Sequence, residues 1–83
     1  MNYIKQLNEF YSTLDYNPIS TNAIVMYNVL LHIANRTGWI DEFRVANTVL
    51  MSKTRLNISA LQRARNELIA RRYIGYKKRF QSK

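Results

Sequence analysis

Apolar side chains near the start of the chain recur every three or four residues, which is the spacing of one face of an α-helix. This pattern predicts a helix from about residue 3 to residue 15. Pro18 should end it, because the residue before a proline, Asn17, is disfavoured in the helical conformation. The apolar stripe could pack in the domain's own core or against a second protomer, and its members are Tyr3, Ile4, Leu7, Phe10, Tyr11 and Leu14.

A second helix has both start and stop signals in the sequence. Ser20 can cap its first turn with the side-chain hydroxyl, and Ile19 and Ile24 occupy the positions of a hydrophobic staple around that cap. Gly38 can supply the left-handed residue that commonly ends a helix. The predicted buried face of this helix consists of Ile24, Tyr27, Leu30, Leu31 and Ala34.

Two shorter helices are predicted in the second half of the chain. Asn47 can cap a third helix over residues 48–53. A fourth helix should follow after a tight connection, beginning at Asn57 or Ser59 and continuing to about residue 71. Ser59 and Gln62 have the spacing of a capping box at its start. The predicted inward face of this fourth helix consists of Leu61, Ala64 and Leu68.

Two segments have the residues of short strands. Residues 43–46 alternate in polarity, and residues 73–78 begin with aromatic and β-branched side chains. A lone strand cannot satisfy its own backbone groups, so we expect the two segments to pair. The expected fold is mainly α with a small β wing: a winged helix-turn-helix of about four helices and a short two-stranded sheet. The 83 residues should form one domain, spanning residues 1–83.

The composition disfavours several classes of function. The chain has no cysteine, which excludes disulfides, thiolate nucleophiles and thiolate metal ligands. His32 is the only histidine, Asp41 and Glu42 are adjacent acids without an evident partner, and the sequence has no glycine-rich phosphate loop. We therefore predict no enzyme activity, no metal and no cofactor. The N-terminus has no apolar run of signal-peptide length, and no apolar segment is long enough to span a bilayer. We therefore expect a cytoplasmic protein that does not bind membranes.

Charge is distributed very unevenly along the chain. Residues 1–43 carry two basic and four acidic residues, whereas residues 44–83 carry eleven basic residues and a single acid, Glu67. Together they give a formal net charge of +8. One-sided positive charge of this size favours a polyanionic partner. The sequence therefore predicts that the C-terminal half contacts nucleic acid.

A helix-turn-helix followed by a basic strand is a common arrangement for binding duplex DNA. With its apolar residues turned inward, the fourth helix would expose a polar face that can hydrogen-bond to bases. Side chains at the turn and on the wing would contact phosphates. The predicted DNA-binding residues are Lys53, Thr54, Arg55, Ser59, Gln62, Arg63, Asn66, Lys77, Lys78 and Arg79.

Simpler roles are open for some of these side chains. Gln62 could be only the second half of the capping box, and Arg63 and Asn66 could be ordinary solvated residues. Arg65 lies at the edge of the buried stripe, where a packed side chain with an ion pair to a neighbouring acid is favoured over a base contact.

The chain also resembles a known family. Residues 45–54 (Val-Ala-Asn-Thr-Val-Leu-Met-Ser-Lys-Thr) and 59–68 (Ser-Ala-Leu-Gln-Arg-Ala-Arg-Asn-Glu-Leu) are similar to the N-terminal winged-helix domain of phage replication initiators related to the primosomal protein DnaD. Residues 17–20 with 22–23, and residues 33–35 with 38–39, are similar to the earlier part of that domain. The sequence departs from the family at Arg55 and Arg72, where such proteins often have glycine.

The resemblance implies a replisome organiser. Such a protein binds double-stranded origin DNA, self-associates as a dimer or higher oligomer, and helps recruit a host helicase or helicase loader through regions outside this chain. It acts in the cytoplasm of a bacterial host cell. The resemblance also implies that residues 1–83 are the N-terminal part of a longer protein.

Two other functions fit the same sequence. A winged helix can serve as an oligomerisation or protein-interaction module of a primosome component, because one fold hosts many functions. It can also be the DNA-binding domain of a transcriptional regulator.

Overall fold

Four α-helices form the described part of the chain, which comprises residues 3–36 and 45–75 of a computed structural model. The prediction of a mainly helical fold with about four helices is confirmed. The second helix contacts all three others, and the third contacts the fourth. The helices are α1 (Tyr3–Leu14), α2 (Thr21–Arg36), α3 (Asn47–Thr54) and α4 (Ile58–Ala70).

The predicted two-stranded sheet is not found among the described residues. Neither Val45 and Ala46 nor residues 73–75 form a strand. At Tyr73 the reason is the end of α4, because the Tyr73 N–H donates to the carbonyl of Leu68 (2.8 Å) and is not available to a strand partner. The other residues of the two predicted strands, 43–44 and 76–78, lie outside the described ranges.

The start of α2 has the predicted cap. Ser20 Oγ accepts a hydrogen bond from the N–H of Ala23 (3.2 Å). In a capping box, a carboxylate three residues further on accepts from the N–H of the cap residue. Here that carboxylate comes from α4, since Glu67 accepts from the N–H of Ser20 (2.7 Å) and from its hydroxyl (2.6 Å). One acid thereby ties the first turn of α2 to α4.

The core lies where α2, α3 and α4 meet. The inward face predicted for α4 is confirmed. The prediction for α2 is only partly right, because Ala23 and Met26 are fully buried while Ile24, Tyr27 and Leu30 are partly buried. A helix that packs against three others has a wider buried sector than one stripe suggests. The buried core cluster consists of Ala23, Met26, Leu50, Leu61, Ala64 and Leu68.

α1 packs on α2 through one side of its apolar stripe. Phe10 is only 3% exposed, and its ring stacks on that of Tyr27 with centroids 4.1 Å apart. Tyr73 meets both rings edge-on, at 5.4 and 6.0 Å. Ile4 and Tyr11 remain 66% and 46% exposed. The alternative of core packing therefore applies to Phe10, while the exposed side of α1 is available to other contacts.

Candidate nucleic-acid interface

The N-terminus of α4 is capped by Asn57, whose side-chain oxygen accepts from the N–H of Ala60 (2.8 Å). Asn57 is one of the two predicted starts of this helix. The predicted capping box is wrong, because Ser59 and Gln62 both lie inside the helix. A capping role therefore does not account for Gln62, whose side chain is exposed.

Four polar side chains line the exposed face of α4. They lie opposite the buried Leu61, Ala64 and Leu68 and are all exposed to solvent. An arginine can form two hydrogen bonds with O6 and N7 of guanine, and a glutamine or asparagine can do so with N6 and N7 of adenine. We refer to this set as the α4 row, and it consists of Ser59, Gln62, Arg63 and Asn66.

Ile58 extends this face and was missed by the sequence analysis. It is the first residue of α4 and is 41% exposed. An exposed aliphatic side chain beside polar ones can contact the methyl group of thymine. The signal for it is the Asn57 cap, because a helix that starts at Ser59 would leave Ile58 in the preceding turn.

The turn between α3 and α4 spans residues 55–57, and it places the neighbouring candidate residues differently. Lys53 and Arg55 are exposed. Thr54 is only 6% exposed. Its hydroxyl donates to the carbonyl of Leu50 (2.7 Å) and accepts from the N–H of Leu56 (3.2 Å). Thr54 therefore stabilises the turn from inside the domain, and we leave it out of the candidate interface.

Both helices of this pair end in a residue with a left-handed backbone. Arg55 follows α3 with φ 65°, and Arg72 lies just beyond α4 with φ 66°. The N–H of Arg55 donates to the carbonyl of Met51 (2.9 Å). The N–H of Arg72 donates to the carbonyl of Ile69 (3.0 Å), and this second bond is one of the two that define a Schellman motif. The left-handed conformation costs residues other than glycine roughly 1 to 2 kcal/mol. These are turns that favour glycine, although arginine occupies both.

Arg65 does not belong to the α4 row. Its side chain is partly buried, and its Nη2 donates to Oδ1 of Asn47 (3.0 Å). The partner is an amide oxygen rather than the predicted acid. The predicted N-cap role of Asn47 is also wrong, because Ala46 is the cap residue and Asn47 is the first residue of α3. Instead, the Asn47 side chain connects α3 to α4.

The end of α4 is held to the link between α1 and α2. Asn17 Nδ2 donates to the carbonyl of Arg71 (3.0 Å), and Arg71 Nη1 donates to Oδ1 of Asn17 (3.5 Å). The Tyr73 hydroxyl donates to the Asn17 carbonyl. Burial raises the pKa of the Tyr73 phenol; the Tyr16 phenol also raises it, whereas the Arg71 cation lowers it. The candidate residues that follow this anchor, Lys77, Lys78 and Arg79, lie outside the described ranges.

Positive charge in the described chain is concentrated in the α3–α4 half. Residues 45–75 carry six basic residues and one acid, whereas residues 3–36 carry two of each. The one acid, Glu67, is already bound to Ser20. The candidate interface therefore combines exposed hydrogen-bonding side chains on α4 with the exposed cations Lys53 and Arg55 beside it.

Across residues 3–36 and 45–75, no three histidine, aspartate or glutamate side chains come together as a metal site would require. None of the four described helices is long and apolar enough to cross a membrane. The expectations that the chain has no enzyme activity and no cofactor stay predictions.

Comparison of the chain with protein-family models, with curated proteins and with solved structures finds no match. The resemblance to phage replication initiators therefore stays a prediction from the sequence.

Proposed function

We propose that this chain is a double-stranded DNA-binding domain and that α4 is its recognition helix. The observation that carries the proposal is the α4 row, four exposed polar side chains on the side of the helix opposite the core. An α-helix fits the major groove of B-DNA, where base edges present hydrogen-bonding groups that these side chains can match. α3 precedes α4 across a three-residue turn, as in a helix-turn-helix.

The charge distribution supports the same partner. Lys53 and Arg55 lie beside the turn, where side chains of a docked helix-turn-helix contact phosphates. Phosphate contacts position a protein on duplex DNA without distinguishing its sequence. We include Lys77, Lys78 and Arg79 in the proposed interface because of their charge and their position in the chain after α4.

Among DNA-binding proteins, we propose a phage-type replication initiator that acts in the cytoplasm of a bacterial host. The support is the sequence resemblance, together with left-handed turns at Arg55 and Arg72, the two positions where such proteins often have glycine. A replisome organiser would also recruit a helicase or its loader through other regions. The exposed face of α4 equally fits the DNA-binding domain of a transcriptional regulator.

Arg63→Ala is expected to lower affinity for a preferred duplex by about 1 to 3 kcal/mol, and affinity for a scrambled duplex by less, because a base contact is lost. Lys53→Ala should weaken binding to both duplexes equally and reduce the salt slope by about one. The preferred duplex is first selected from a random library. Binding of the wild type and both variants is then titrated at two salt concentrations, without metal or nucleotide.

Melting temperatures serve as the control, because both side chains are exposed and neither substitution should change stability. Wild-type affinity that does not depend on salt would contradict the proposed DNA contact. If Arg63→Ala leaves the ratio between the two duplexes unchanged, α4 is not the recognition helix.

A second function, self-association, is favoured by the outer side of α1 together with Tyr16 in the turn that follows it. Ile4 is 66% exposed and Tyr16 is 79% exposed, and both line one surface depression with Asn8 and Ser12. We propose that this side of α1 contacts a second copy of the chain. Sedimentation should then show a dimer or larger species for the wild type and a folded monomer for Ile4→Asn. A wild type that is monomeric at high concentration would contradict the proposal.

A further inference from the structure

Two arginines adopt a backbone conformation that favours glycine. Arg55 has φ 65° and Arg72 has φ 66°, and no other non-glycine residue in the described ranges has a positive φ. Strained backbone of this kind persists where the surrounding structure enforces it, and it is often found at functional sites. Because both positions hold arginine, we expect the arginine side chain to have a function there.

Neither turn needs an arginine side chain for its own structure. The hydrogen bonds that close the turns are made by the backbone N–H groups of Arg55 and Arg72, which donate to Met51 and Ile69. Glycine would make the same bonds without the steric penalty of a Cβ. Both arginine side chains are exposed, so they contribute little to packing.

The two guanidinium groups also have no hydrogen-bond or ion-pair partner within residues 3–36 and 45–75. Other arginines nearby do have one, because Arg65 donates to Asn47 and Arg71 donates to Asn17. Side-chain interactions within the described residues therefore do not offset the strain at Arg55 and Arg72. A guanidinium group matches the geometry of a phosphate, which points to an anionic ligand of that class.

The two turns lie at opposite ends of α4. This helix has 13 residues, so about 20 Å separates its ends. The α4 row lies between them, and the phosphates of the two DNA strands border the major groove that a recognition helix occupies. We infer that Arg55 and Arg72 each bind a DNA phosphate and together hold α4 in the groove. This inference rests on the proposed function and adds Arg72 to its interface.

Arg55→Gly and Arg72→Gly test the inference because they separate folding from binding. Each variant should keep or raise the melting temperature, since glycine relieves the strained backbone. Each should also weaken binding to a random-sequence duplex about five- to tenfold at ~0.1 M salt and lower the salt slope by about one. Fluorescence anisotropy with a labelled duplex at several salt concentrations measures both quantities.

Two controls accompany the glycine variants. Arg55→Lys and Arg72→Lys retain the charge and should keep most of the affinity, because lysine also binds phosphate. Lys5→Gln removes one charge from α1, which contacts α2 and neither α3 nor α4, and should leave the salt slope unchanged.

The outcomes separate this inference from the proposed function. A wild type that does not bind duplex DNA would overturn the proposed function, and this inference with it. A wild type that binds, with glycine variants of equal affinity and slope, would overturn only this inference. Lower melting temperatures in both glycine variants would also overturn it, because the arginine side chains would then be needed to hold the turns.

Discussion

Phe10→Ala is expected to destabilise the domain by about 3 to 5 kcal/mol, because it removes a buried aromatic ring and leaves a cavity. Phe10 is only 3% exposed. Its ring stacks on Tyr27 at 4.1 Å with the planes 6° apart, and it meets Tyr73 edge-on at 5.4 Å. A domain of 83 residues has a total stability of roughly 4 to 12 kcal/mol. The variant should therefore lose a large share of the domain's stability, and the midpoint of its urea unfolding, followed by circular dichroism, should fall accordingly.

Tyr11→Ala is the matched control on the same helix. Tyr11 is 46% exposed, touches Phe10 edge-on at 5.0 Å, and accepts a hydrogen bond from Asn28 through its hydroxyl (3.1 Å). Its loss should cost about 1 to 2 kcal/mol, from one hydrogen bond and one edge-on ring contact. Equal stability losses in the two variants would contradict the assignment of Phe10, and not Tyr11, to the core.

The end of α1 and the start of α2 could be predicted closely because they depend on local chemistry, whereas Gly38, the predicted stop of α2, lies outside the described residues. The proline at position 18 ends the first helix region, and the hydroxyl of Ser20 caps the second through a bond to Ala23, three residues away. Interactions over so few residues leave a pattern in the sequence.

Other features depend on partners that are distant in sequence. Glu67 binds Ser20 across 47 positions, and Arg65 binds Asn47 across 18. A capping rule applied to Asn47 alone therefore assigns it the wrong role. Tyr73 was likewise misassigned, because its aromatic side chain favours a strand whereas its N–H closes the end of α4.

The candidate interface also contains some residues whose position follows from local sequence and others whose position depends on packing. The α4 row could be predicted because helical periodicity alone places Ser59, Gln62, Arg63 and Asn66 opposite the buried residues. Thr54 could not be assigned correctly from its neighbours, because its burial depends on how α3 packs against the core. To predict Ile58 on this face, one needs the true start of α4, which lies one residue before Ser59, the first residue of the predicted capping box.

Glu67→Ala is expected to cost about 2 to 3 kcal/mol, because it removes a charged acceptor from two hydrogen bonds and leaves the first turn of α2 without half of its cap. The two bonds, to the N–H of Ser20 at 2.7 Å and to its hydroxyl at 2.6 Å, also join α2 to α4. Ser20→Ala keeps the N–H bond and should cost only about 1 kcal/mol. Urea unfolding of both variants measures these losses.

Two further variants show whether the loss comes from these contacts or from the change in charge. Glu9→Ala removes an exposed acid of α1 and changes the net charge equally, so it should alter stability by less than about 0.5 kcal/mol. Glu67→Gln keeps one acceptor oxygen and should recover part of the loss. The loss in the double variant should be smaller than the sum of the Glu67→Ala and Ser20→Ala losses, since both substitutions remove the bond between the Ser20 hydroxyl and Glu67. Glu67→Ala with the stability of Glu9→Ala would show that the cap supplied by α4 does not stabilise the fold.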